Sequence, residues 1–212
     1  MVSSRNAGRS ASGVWRGSCR RLWNGQRLNS RLNDKEPHRG QPERLKGENS
    51  LTSESYHSDE SKTILEAALS YLQRGFSVIP LEPRGKRPVV SWTLYQTRQA
   101  TEEEVREWFD NDKGYNIGIV TGAISGLTVV DFDTQEAIQL AKERNFPVTP
   151  LAKTGKGYHA YCQYKEGTRN FQKRADLPGI DLRSDGGYVV APPSVHSSGS
   201  VYQWVQGRGL DD

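Results

Sequence analysis

The chain has 212 residues, 25% of them charged and 34% hydrophobic, a balance low in apolar residues but compatible with one globular domain plus an unstructured segment. No window approaches the roughly 18 to 20 consecutive apolar residues of a membrane span, and two cysteines, Cys19 and Cys162, are too few for a disulfide framework, which argues against a membrane-spanning or stapled secreted protein. The formal charge of +4 is unevenly placed: Met1 to Lys62 carry 12 Lys or Arg against 7 Asp or Glu, leaving 17 bases and 18 acids from Thr63 onward, so function there must come from converging individual charges rather than a protein-wide field.

Residues 1–60 are rich in Ser, Asn, Gly and Arg and lack any sustained period of 3.6 or 2, so they cannot bury enough surface to offset chain entropy, and a disordered basic segment is expected. Up to Asn33 this stretch has seven arginines and no acid, a composition shared by a dispensable tail, a nucleic-acid-binding arm and an organelle transit peptide. A single domain is expected over 61–208. Ile64, Leu65, Ala68, Leu69 and Leu72 recur at helical spacing from Thr63 until Gly75 offers a stop. A strand over Phe76 to Ile79 follows, and Pro80, Pro83, Gly85 and Pro88 then force a basic loop bearing Arg84, Lys86 and Arg87. Thr101 and Glu104 have capping-box spacing ahead of Val105, Trp108 and Phe109, which predicts a second helix with an acidic first turn. Asn116 to Thr121 and Leu127 to Phe132 read as two β-branched runs joined through Gly122 and Ser125-Gly126, a hairpin. A third helix over Ala137 to Ala141 stops near Asn145 and Pro147, and from Leu151 short strands alternate with Gly-rich turns. This order predicts an α+β domain with a mainly antiparallel sheet flanked by short helices.

Three segments carry chemistry. In Val129-Val130-Asp131-Phe132-Asp133, strand alternation sends Asp131 and Asp133 to one face and Phe132 to the core. Paired carboxylates repel unless a cation, proton or arginine lies between them, and oxygen-only ligands favour Mg²⁺ or Mn²⁺; the alternative is a polar strand end leading to a helix cap at Thr134. In Thr154-Gly155-Lys156-Gly157-Tyr158-His159, glycines let backbone amides approach a phosphate, Lys156 adds a cation, and His159 can donate to an anionic oxygen; the alternative is a plain hairpin with a surface histidine. The glycine spacing is not that of a Walker A loop. In Gly179-Ile180-Asp181-Leu182-Arg183, Asp181 and Arg183 share a strand face, offering one metal ligand and one guanidinium fork for phosphate, or else an internal salt bridge. Asp185 before Gly186-Gly187 reads as a turn former, and His196 after Pro192-Pro193-Ser194 as a solvated loop histidine or a nucleic-acid contact.

Taken in this order, the segments resemble the N-terminal bifunctional primase/polymerase (prim-pol) domain of the archaeo-eukaryotic primase superfamily, with Phe76-Ser77-Val78-Ile79-Pro80, Gly85-Lys86-Arg87-Pro88 and Asn116-Ile117-Gly118-Ile119 extending the likeness over about Leu65 to Trp204. The resemblance implies a prim-pol fold with an RRM-like catalytic half. It also implies a cytoplasmic, DNA-templated nucleotidyltransferase serving replication of a plasmid, phage or other mobile element. Asp131, Asp133 and Asp181 would hold Mg²⁺ or Mn²⁺, His159 and Arg183 would contact the triphosphate, and Lys156 and Lys86 would assist. Partners would be a single-stranded DNA template and primer and nucleoside triphosphates. In this family the domain often precedes a helicase or accessory primase domain; none is found in this sequence, which leaves a free-standing enzyme or one part of a larger product. One residue departs from the pattern: the family has a small hydroxyl two places before the histidine, where this chain has Gly157, with Thr154 the alternative source of that hydroxyl. Arg84, Arg87, Lys153, Lys165, Arg169, Lys173 and Arg174 are candidates for the nucleic-acid surface, and Trp92 for a base platform or a core residue. Two other functions use the same residues: a noncatalytic DNA-binding replication module, and a metal-dependent nuclease.

Overall fold

Thr63 opens the first helix. In the computed structural model, which describes residues 63–212, its hydroxyl accepts from the Glu66 amide while the Glu66 carboxylate accepts from the Thr63 amide, a reciprocal cap that starts α1 (Ile64–Gln73). The basic segment expected at residues 1–60 lies outside the described residues. Along α1 the residues buried most deeply are Ala67, Ala68 and Tyr71, while Leu65, Leu69 and Leu72 are only partly covered. Gly75, at a φ of 84°, turns the chain into β1 (Ser77–Leu81).

Pro80 was expected to end that strand, and instead lies within it, opposite Ile117 of β2 (Asn116–Val120). The reason is position: β1 is an edge strand, and the Pro80 carbonyl accepts from the Val89 amide on its outer side, so the missing N–H also faces the edge and costs the sheet no bond. A short 3-10 helix, Trp92–Gln96, which the sequence did not signal, leads to α2 (Glu102–Phe109) with the expected Thr101–Glu104 capping box.

The hairpin expected between β2 and β3 (Leu127–Phe132) is corrected by the pairing. β2 runs between β1 and β7 (Tyr188–Ala191) in a three-stranded antiparallel sheet, whereas β3 belongs to another sheet; the two strands meet only at an isolated bridge between Gly122 and Leu127. Gly122 makes the divergence possible. Its φ is 95°, and a Cβ there would stand 2.3 Å from an Asp185 carboxylate oxygen, so only glycine fits where the turn at Asp185 that leads into β7 crosses.

α3 (Gln135–Glu143) starts at Thr134, whose hydroxyl accepts from the Ala137 amide. The second sheet then takes β4 (Leu151–Lys153), β5 (Tyr158–Gln163), β6 (Ile180–Arg183) and β8 (Gln203–Trp204), in the order β6-β3-β5-β4-β8 and antiparallel throughout. The expected α+β class with antiparallel pairing therefore holds, but with two sheets in place of one. One face of the five-stranded sheet, with Val130, Phe132, Ala160, Ile180 and Leu182, is buried with Ala137 of α3. From the other face Val129, Tyr161 and Ala152 join the larger core formed with α1, α2 and the three-stranded sheet. Among the described residues no helix is long and apolar enough to cross a membrane.

Candidate active site

Exposure rises along β3: Val129 is fully buried, the Asp131 side chain is 13% exposed, and Asp133 lies at the surface. Because strand residues alternate, all three belong to the face turned towards the larger core, and the acids stand where the strand emerges from under that cover. Register does the rest. Asp131 is directly opposite His159 on β5 and directly opposite Asp181 on β6, so the neighbouring strands bring a histidine and a second carboxylate to the same face.

The charges there are poorly satisfied. His159 is 5% exposed, beneath Tyr202, and its Nε2 stands 3.5 Å from Asp131 Oδ2, an electrostatic contact longer than an ordinary hydrogen bond. Asp131 Oδ1 and His159 Nδ1 are both buried without any hydrogen-bond partner. Burial works to raise the Asp131 pKa, yet the adjacent His159 ring, with Lys86 and Arg183 adding to it, brings the carboxyl below its ordinary value. Asp133 is shifted the other way: burial and then the charge of Asp131 raise its pKa, Asp181 adding to the rise while Lys86 and Lys156 oppose it. Asp181 Oδ1 accepts from the Lys173 amide at 2.9 Å, and Oδ2 lies 3.5 Å from Arg183. Arg183 also reaches Gln172, whose side-chain carbonyl in its bonding orientation accepts at 3.0 Å.

The expected set Asp131, Asp133, His159, Asp181 and Arg183 is therefore brought together at one end of the five-stranded sheet, and Lys156 and Lys86, from two different loops, lie within electrostatic reach of it. The Asp181–Arg183 contact is the internal ion pair that the sequence left open. Thr154 is used inside its own turn, its hydroxyl accepting from the amides of Lys156 and Gly157. Gly157 has a steric cause: a Cβ there would stand 1.8 Å from the Phe132 carbonyl oxygen, so in this backbone no side-chain hydroxyl fits at that position. Asp185 is a turn residue, accepting from the Ala123 amide and the Tyr164 hydroxyl. Trp92 is half-buried, its ring edge-on to Tyr188 at 4.9 Å.

Sequence reasoning missed two residues. Tyr202, 1% exposed, lies beside the His159 ring, and its hydroxyl pKa is pushed up to about 12 by burial and by Asp131 and Asp133. Asn116 is 2% exposed and ties two loops together, donating to the carbonyls of Gly85 and Val195 and accepting from the Val195 amide. A tyrosine in a short strand-like run and an asparagine at a strand start carry no local signature of such roles.

The family described as bifunctional DNA primase/polymerase, N-terminal, matches residues 68–212. The chain belongs to this family. No curated protein matches it. The prim-pol match covers both sheets and every residue of the cluster, and membership assigns the chain a primase/polymerase role in DNA replication. Prim-pol domains generally use divalent metals, and two observations make this donor set fit one. Like charges directly opposite in a sheet are destabilising without a counter-ion, and Asp131 Oδ1 is a buried anionic oxygen with nothing to bind. The donors are hard oxygens suited to Mg²⁺ or Mn²⁺. Among the described residues no group of three or more His, Cys, Asp or Glu side chains is placed to hold a metal ion as it stands, so the fit rests on the Asp131–Asp181 pairing and the orphaned Asp131 oxygen.

Proposed function

We propose that this prim-pol domain is a DNA-templated nucleotidyltransferase that synthesises or extends primers with release of pyrophosphate. The observation that supports this most is the register that sets Asp131 against Asp181 and places His159 on the other flank of Asp131. In this reading Asp131, Asp133 and Asp181 hold the cations, and the five-stranded sheet with α3 behind it is the RRM-like catalytic half. Bound Mg²⁺ or Mn²⁺ would activate the attacking 3′-hydroxyl and neutralise charge on the departing pyrophosphate.

The chain's own residues supply the rest. His159 keeps Asp131 ionised despite burial, so the carboxylate is ready as a ligand at neutral pH. Arg183 and His159 flank the acids and exchange their carboxylate partners for phosphate oxygens when a nucleotide binds, Arg183 in forked geometry. Lys156 and Lys86 draw the triphosphate in from the rim. The template and primer follow exposed basic residues such as Arg87, Lys153, Lys165 and Lys173. A cytoplasmic place in mobile-element replication, with a helicase or accessory primase domain as a partner, completes the proposal.

The test is synthesis by the full chain on a primed and an unprimed template with deoxynucleotides or ribonucleotides and Mn²⁺. Replacing Asp131 and Asp133 by Ala is expected to lower product on the order of 1000-fold while template binding persists. Undiminished product would sink the proposal. Template binding without incorporation in the native chain would make it a DNA-binding replication module, and strand cleavage without incorporation would make it a nuclease.

A further inference from the structure

His196 sits above the same site and is held there by three separate contacts. Its ring covers Gly155, where a Cβ would stand 2.4 Å from the imidazole, so it lies directly on the turn that carries Lys156. It also packs against Tyr202, with ring centroids 6.2 Å apart, and Tyr202 in turn packs against His159 at 5.9 Å, giving a row of rings that starts beside Asp131. Its Nδ1 accepts from the Ser198 amide at 3.1 Å and meets the Ser198 hydroxyl at 2.8 Å.

That last contact fixes the chemistry of the other nitrogen. A ring nitrogen that accepts from an amide carries no proton, so the neutral imidazole holds its proton on Nε2. Nε2 is thus a donor, and it is not among the buried atoms left without a partner. The surroundings select its ligand. Asn116 clamps Gly85 and Val195, the residues immediately before Lys86 and His196, so the two loops present these side chains from a common anchor. Arg84 donates to the Ser197 carbonyl at 3.2 Å, which adds a guanidinium to the same rim. Lys86 acts electrostatically on Asp131 and Asp133, so the anchored loops set cationic donors beside the carboxylate cluster, the pairing that a metal-bound polyphosphate requires.

We infer that His196 Nε2–H donates to the terminal phosphates of the incoming nucleotide, with Asn116 as the positioning residue that sets His196 and Lys86 side by side. This rests on the nucleotidyltransferase reading but is tested without turnover. Binding of dATP and of dAMP to the full-length chain in Mg²⁺ buffer, without template, is measured by calorimetry for the native protein, His196→Ala and His196→Gln. The expected result is a preference for dATP over dAMP that falls about 10- to 100-fold in His196→Ala, the size of one lost hydrogen bond to a charged group, and largely returns in His196→Gln. Binding of a single-stranded oligonucleotide should stay within twofold. An unchanged dATP preference overturns the inference alone, as does an equal loss for dAMP or a loss confined to the oligonucleotide. A native protein that binds dATP no better than dAMP overturns both this inference and the nucleotide site beneath it.

Discussion

Asp133 pays for its position in stability terms. Its pKa is raised by burial and by Asp131, so the folded state holds its proton more tightly than the unfolded chain does. The sign follows from linkage: ionised Asp133 disfavours the fold at neutral pH, and the penalty is relieved as pH falls through the raised folded value towards the ordinary aspartate pKa of about 3.9. Asp133→Asn should therefore stabilise the metal-free protein at pH 7 by a few tenths of a kcal/mol, a figure discounted for the exposure of the group. Urea unfolding in EDTA reads this, and the gap should close by about pH 3.5. The same variant should lose at least about 100-fold in synthesis, because a neutral amide is a poor ligand for a hard cation. A variant less stable than the native chain at pH 7 would show that the repulsion is already compensated. The shared face of these acids was legible because alternation along a strand is a strict rule; the burial of His159 was not, since only the strand pairing shows what covers it.

At the scale of elements, Glu104 joins the 3-10 helix to α2. Its carboxylate accepts from the Thr101 amide, from both terminal nitrogens of Arg98 at 2.7 and 2.8 Å, and from the Tyr95 hydroxyl at 3.0 Å. The Arg98 hydrogen bonds lower its pKa to about 2, outweighing the burial that would raise it. A carboxyl whose folded pKa lies below its unfolded value stabilises above the unfolded value of about 4.3, and that contribution is lost as pH falls through the folded value. Glu104→Gln should cost about 1 kcal/mol at pH 7, from the cap and the charged bonds together. Chemical denaturation from pH 7 to pH 2 should show the difference shrinking below about pH 4.5; a constant difference would mean that the charge contributes nothing. The capping pair at Thr101 was readable because a cap is a local event within four residues, and the same spacing at Thr63 and Glu66 forms the second box. The partner of β2 was not. Two adjacent β-branched runs favour a hairpin locally, but β2 was already flanked by β1 and β7, and Gly122 let β3 turn into the other sheet.

Across the whole molecule, the two sheets share a core that contains Tyr71, Tyr161 and Tyr202 together. Tyr71 crosses it, its hydroxyl donating to the Pro192 carbonyl at 2.7 Å and so linking α1 to the segment after β7. Thr121 does the same further along, donating to the Ser184 carbonyl at 2.7 Å, where the chain passes from the five-stranded to the three-stranded sheet. Tyr161 has no such partner. It is 1% exposed, its hydroxyl makes no hydrogen bond, and burial holds its pKa well above the usual phenol value, so the group stays neutral. Its ring still packs edge-on against Trp204 at 4.8 Å, which ties β5 to β8. An unpaired buried hydroxyl costs about 1 to 3 kcal/mol of desolvation, whereas the ring contributes through packing that phenylalanine would keep. Tyr161→Phe should therefore raise unfolding stability by about 1 kcal/mol, seen as a higher denaturant midpoint at unchanged slope, with synthesis within twofold of the native chain. A loss of more than about 1 kcal/mol would mean that the hydroxyl is paired, most simply through a buried water between the sheets, and would make Tyr161 a hydrogen-bonded bridge like Tyr71.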